Sequence, residues 1–168
     1  MKHQAPTADQ VRALLDYNPD TGIFRWKVSR GGVLKGAIAG STVKHGYRCI
    51  RILNCSVLAH RLAWLVTYDH WPRDGLDHRN RIPGDNRIVN LREATQSQNN
   101  KNSKLHSSNR SGFRGVSWDS INSKWVARIR VPGGPYRNLG RFNDPDIAHK
   151  AYRRAARQYY GEFSEANE

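Results

Sequence analysis

The sequence predicts an α+β protein in two parts: a small N-terminal α/β scaffold that leads into a polar site segment, then a three-stranded antiparallel sheet packed on one helix. Three observations carry the prediction. The segment Asp77–Asn99 places a polar residue at each junction of a strand end, a loop and a helix. Three runs with strand alternation follow one another between residues 113 and 142, and an alanine-rich run with helical periodicity closes the chain. The formal net charge of +14 is spread over both parts: residues 1–99 carry 15 Lys and Arg against 8 Asp and Glu, and residues 100–168 carry 13 against 6.

That charge implies a polyanionic partner touched by both parts. No run of five like charges occurs, which argues against a disordered electrostatic arm. The 168 residues suit one domain of ordinary size or two small ones. Cys49 and Cys55 match neither a CxxC pair nor a zinc ribbon, so a reducing, cytoplasmic home is the simplest expectation. No apolar run approaches the ~20 residues of a membrane span, and the N-terminus lacks the apolar stretch of a signal peptide.

In chain order, Thr7 and Gln10 have the form of a capping box, and Val11, Leu14 and Leu15 give the following helix one apolar face. Tyr17–Gly22 is a turn by composition. Ile23–Val28 reads as a strand in which Arg25 and Lys27 alternate with Phe24 and Trp26; the two cations suit either DNA phosphates or a solvated face. Residues 31–46 are glycine-rich loop, without the GK[ST] ending of a P-loop. Tyr47–Ile52 alternates as a strand, Leu53-Asn54 turns the chain, and Ala59–Val66 reads as a helix with Leu62, Leu65 and Val66 inward, ended by Trp71-Pro72-Arg73. His60 on that helix is a candidate accessory residue that could approach a metal or a phosphate; a hydrogen-bonded core histidine is the competing reading. Arg61 is a candidate phosphate contact.

The next stretch, DHRNRIPGDNRIVNLREATQSQN, organises the chain. A histidine beside an acidic residue, His78 after Asp77, can serve as a general base next to a metal ligand. Gly84-Asp85-Asn86 reads as a turn, and the run after Asn90 as a short helix with Asn90 near its N-cap. Oxygen donors such as Asp77 and the Asn99 amide suit Mg²⁺ or Mn²⁺ better than Zn²⁺. The Asp77-His78 pair, the DNRIVNLREAT run, the final Asn99 and the preceding AHRLAW together resemble the ββα-metal core of phage-type HNH homing endonucleases, in the variant with asparagine in the last position. The resemblance implies that His78 is the general base, that Asp77 and Asn99 hold one divalent cation, and that Asn90 orients His78 and pins the loop.

After a polar stretch that reads as a linker, Phe113–Trp118, Lys124–Arg130 and Tyr136–Phe142 read as strands. In the second, Trp125, Ala127 and Ile129 share one face, and Lys124, Arg128 and Arg130 share the other with Val126. Asp144 and Pro145 start a helix as N-cap and N1, Ala148, Ala151, Tyr152, Ala155 and Tyr159 form its apolar stripe, and Gly161 stops it. FRGVSW, KWVARIRV, LGRF and YYGEF make this part resemble the AP2 DNA-binding domain over nearly its whole length. The resemblance implies DNA contacts from Arg114, Trp118, Arg128, Arg130 and Arg137, with a core position as the alternative for Trp118. Asn138 stands where plant members often carry Trp, Arg128 replaces a usual Glu, and the first turn is one residue longer, so base preference does not carry over.

The expectation is a metal-dependent, site-specific DNA endonuclease: a nuclease domain over residues 1–103 with its core at about 70–103, a linker over 104–110, and an AP2-like domain over 111–163. It would bind double-stranded DNA as a monomer or homodimer, in a host cytoplasm if phage-encoded, with no membrane and no small-molecule cofactor. The alternative is a non-catalytic, sequence-specific DNA-binding regulator that keeps a degenerate HNH core for structure. An RNA-binding protein has less support, because the aromatics alternate into apparent cores and form no stacking platform.

Overall fold

A computed structural model describes residues 5–102, 105, 107–161, 163 and 164. The chain divides into two compact units, Met1–Gln96 and Ser97–Glu168. The architecture is mixed, with four small antiparallel sheets and four α-helices among the described residues. The linker expected at 104–110 includes residues 104 and 106, which lie outside the described ones, as does Glu162 of the YYGEF motif.

In the first unit, α1 (Ala8–Leu14) begins at the expected capping box: Thr7 Oγ1 accepts from Gln10 N, and Gln10 Oε1 accepts from Thr7 N. β1 (Leu15–Asn18) follows without a break and pairs with β2 (Ile23–Trp26), Leu15 opposite Trp26. The expected turn is therefore shorter: Tyr17 and Asn18 extend the strand because Tyr17 stacks on Phe24 across the hairpin, with ring centroids 4.7 Å apart. β3 (Ser41–Thr42), β4 (Arg48–Ile52) and β5 (Cys55–Leu58) form the second sheet, and Leu53 and Asn54 make its hairpin turn with positive φ at both positions. Cys49 and Cys55 are half-buried on β4 and β5, and neither is in a disulfide.

α2 (Ala59–Tyr68) packs on α1 and on β4 and β5. It stops at Asp69, which takes the left-handed conformation and donates its N–H to Leu65 O, so the end comes before Trp71-Pro72. Val11, Leu15, Phe24, Ile50, Ile52, Leu62 and Leu65 close the core. β6 (Gly75–His78) pairs with β7 (Leu91–Ala94). This corrects the short helix expected after Asn90. Only Ile88–Asn90 forms a single 3₁₀ turn, and Leu91–Ala94 is extended because Leu91 faces His78 and Arg92 faces Asp77 across the hairpin. The helix comes later, as α3 (Gln96–Asn102), which falls in the second unit from Ser97 on.

In the second unit, β8 (Val116–Asp119), β9 (Lys124–Arg130) and β10 (Tyr136–Phe142) form a sheet with β9 central. β8 starts at Val116 and not at Phe113, because Gly115 turns the chain at φ +73°. A Cβ on Gly115 would lie 2.1 Å from the Tyr152 ring, so the glycine also permits the close approach of α4 (Pro145–Tyr160). α4 begins at Asp144, whose side chain accepts from Asp146 N and Ile147 N, and ends at Gly161. Its Ala148, Tyr152, Ala155 and Ala156 pack on Val116, Ala127 and Ile129.

Candidate functional site

β6 delivers Asp77 and His78 to the point where the hairpin opens into the loop 79–87, and both side chains are buried. Asn90 pins that loop. Its Oδ1 accepts from Asn80 N at 3.0 Å, and its Nδ2 donates to Asn80 Oδ1 at 3.0 Å and to Asp85 O at 2.8 Å. Its own carbonyl accepts from Arg79 N at 2.9 Å. Asn80 in turn donates to Asp85 Oδ2 at 2.7 Å. Arg87 also binds Asp85 through Nε and Nη2, and these bonds hold the Asp85 carboxyl down at about 2.

One side chain set against the His78 ring is Asn86, fully buried, with Oδ1 3.4 Å from His78 Nε2. Asn86 Nδ2 donates to Gly84 O at 3.2 Å, which turns the amide oxygen towards the imidazole. An amide oxygen facing Nε2 favours the tautomer of His78 with its N–H there. Burial lowers the His78 pKa, against the opposing pull of Asn86, Asp77 and Asp85. His78 is thereby neutral and able to accept a proton at neutral pH.

The Asn86 position is itself built from far away in the chain. Tyr17 Oη donates to Asn86 O at 2.8 Å. Gly22, at φ +70°, lies so close that a Cβ would be 2.5 Å from Arg87 N and 2.6 Å from Asn86 C. The β1–β2 hairpin therefore buttresses the loop that orients His78. Sequence reasoning read Asn86 as a turn residue and missed this contact, whose partners are 69 residues apart.

His60 is 6% exposed on α2, and its ring meets that of His78 edge-on at 5.1 Å. Tyr47 lies against both, at 5.4 and 5.9 Å. Burial above all pulls the His60 pKa down to about 3, so this imidazole stays neutral. Its Nδ1 is buried without a hydrogen-bond partner among the described residues, unlike the hydrogen-bonded core histidine of the competing reading. Arg61, half-buried, lies over the Trp71 ring at 5.7 Å.

Asp77 brings the carboxylate. Arg92, directly opposite on β7, donates from Nε to Asp77 Oδ2 at 2.9 Å and brings Nη2 to 2.8 Å from the same oxygen. Both side chains are about 95% buried. Asn99 is half-buried on α3, three residues beyond Gln96. Among the described residues no group of three or more His, Cys, Asp or Glu could hold a metal. The Asp77 carboxylate is a hard oxygen donor of the kind that suits Mg²⁺ or Mn²⁺.

In the second unit, Arg128 and Arg130 are exposed on β9, Arg130 over the Tyr136 ring at 5.8 Å. Trp118 is 51% exposed and meets Trp125 edge-on, which removes the core alternative for it. Arg137 donates to Tyr159 Oη at 2.7 Å. Arg114 is half-buried just before Gly115.

No curated protein matches the chain. Residues 57–101 match the family model of an HNH endonuclease, a span that contains His60, Asp77, His78, Asn86, Asn90 and Asn99. The match supports an HNH nuclease, a class that generally uses a divalent metal ion and that would bind DNA.

Proposed function

We propose that the protein is a metal-dependent, site-specific DNA endonuclease of the HNH homing type, with His78 as its general base. The observation that carries the reading is the buried, neutral His78, set by Asn86 and adjacent to Asp77, inside the span that matches the HNH endonuclease family. His78 Nδ1 takes a proton from water as the water oxygen attacks phosphorus in line with the 3′ oxygen. The P–O3′ bond breaks, the 3′ oxygen takes a proton from solvent, and the ends are 5′-phosphate and 3′-hydroxyl. A divalent cation, Mg²⁺ or Mn²⁺, for which the family resemblance names Asp77 and Asn99 as ligands, would offset charge on the phosphate and on the leaving oxygen. Asn90 keeps the loop closed around the base, and His60 and Tyr47 wall the imidazole.

Affinity and part of the specificity come from the second unit, in the manner of the AP2 domain it resembles. Its two-residue alternation leaves Arg128 and Arg130 exposed on β9, and two strands fit the major groove, where arginine pairs bidentately with guanine. Trp118, Arg114 and Arg137 are the other contacts in this reading, and Arg61 contacts phosphate from the first unit. One HNH core nicks one strand, and a double-strand break needs a dimer or two successive events.

The competing reading, a DNA-binding regulator with a degenerate core, draws support from the Asp77–Arg92 ion pair, which occupies the carboxylate assigned to the cation. Supercoiled plasmid incubated with wild type or His78→Ala, in Mg²⁺, Mn²⁺ or EDTA, separates the two. Relaxed circles formed only by wild type with metal are expected. Equal cleavage by His78→Ala would remove the assignment of the base, and retained DNA binding with no cleavage of plasmid or genomic DNA would favour the regulator.

A further inference from the structure

We infer that Arg92 is a built-in counter-cation for Asp77, which keeps the divalent-cation site weak until a DNA phosphate arrives. The inference rests on the reading of Asp77 as a cation ligand.

Asp77 and Arg92 face each other in the β6–β7 register, and two guanidinium nitrogens converge on one carboxylate oxygen at 2.8 and 2.9 Å. A buried carboxylate without a positive partner is strongly disfavoured. Arg92 supplies that partner permanently, so the hairpin folds around Asp77 without a metal ion. The pair has no formal net charge. The next carboxylate along the loop, Asp85, is matched in the same way by Arg87 at 2.6 Å.

A hard dication is bound largely by the charge of its oxygen ligands. Here the carboxylate is already shared with a guanidinium. A phosphodiester contributes the missing negative charge and further oxygen donors. Cation and DNA then strengthen each other's binding, as linkage requires. Removal of the Arg92 charge takes this guanidinium away from Asp77 Oδ2 and should tighten DNA-free cation binding.

The test is calorimetric Mn²⁺ titration and thermal melting of the full chain without DNA, for wild type, Arg92→Gln and Asp77→Asn. Wild type should bind Mn²⁺ weakly, with little change in melting temperature. Arg92→Gln should bind it about tenfold or more tighter, the scale by which groups around a metal site tune affinity, and its lowered melting temperature should recover with Mn²⁺. If Arg92→Gln binds no tighter than wild type while Asp77→Asn loses the binding, the role of Arg92 is overturned and Asp77 stands as a ligand. Binding unchanged in Asp77→Asn would instead overturn Asp77 as the ligand. Should Arg92→Gln not fold, the wild-type titration still decides: a melting temperature that rises by several degrees in millimolar Mn²⁺ without DNA overturns the inference, and one that stays put until duplex DNA is added supports it.

Discussion

His78 Nε2 lies 3.4 Å from Asn86 Oδ1, and both side chains are buried. The contact favours the tautomer with its N–H at Nε2. Asn86→Leu removes the acceptor and should lower the nicking rate by about tenfold to a hundredfold, the usual cost of losing a group that orients a site residue. Asn86→Asp should act differently. A carboxylate beside the Nε2–H stabilises the imidazolium and raises the His78 pKa. The acid limb of the pH–rate profile should then move to higher pH, which plasmid-nicking rates between pH 5 and 8 would detect. An unmoved limb would separate Asn86 from the base.

The buried histidines also make the first unit acid-sensitive. The His60 pKa is near 3 in the fold against ~6.5 in an unfolded chain, and the His78 pKa is lowered too. Between those values the unfolded state binds protons that the folded state refuses, so stability falls as pH drops through about 6.5 towards 3. The full contribution is present above about 6.5. His60→Gln should flatten that part of the dependence, measured as melting temperature from pH 7.5 down to 4.5. A slope equal to wild type would mean that His60 is not buried neutral.

Gly22 is the contact point between the β1–β2 hairpin and the site loop. Gly22→Ala meets both an unfavourable φ of +70° and a backbone 2.5 Å away. It should destabilise the fold by about 1–3 kcal/mol and slow nicking by displacing Asn86. Tyr17→Phe removes only the hydroxyl that donates to Asn86 O, and should cost about 0.5–1.5 kcal/mol. Denaturant melts and nicking rates of the two variants test whether the hairpin serves the site or only the core.

Arg128 and Arg130 point outward from the central strand of the second sheet. If each meets DNA, Arg128→Gln and Arg130→Gln should weaken binding. A residue on phosphate should reduce the slope of log affinity against log salt by about 1, whereas one on a guanine edge should mainly relax sequence preference. Salt titrations on matched and scrambled duplexes separate these roles. Neither effect in either variant would argue against this sheet face as the DNA surface.

Local chemistry made much of this protein legible from its residues. The capping box at Thr7, the β9 and β10 spans, the Asp144-Pro145 start and the Gly161 stop of α4 all depend on neighbours within a few positions, and all occur as read. The Asp77-His78 pair and Asn90 likewise stood out by residue type and spacing, and the fold brings them to one loop. The tertiary structure decided what those residues meet. Leu91–Ala94 is a strand and not a helix because its partner is β6, whose pairing overrides the local pattern. Arg92 became the counter-ion of Asp77 through that same register. His60 came to His78 through the packing of α2 on the Ile88–Asn90 turn. Asn86 was set by a tyrosine 69 residues earlier. These partners meet only once the core has closed, and no local spacing encodes them.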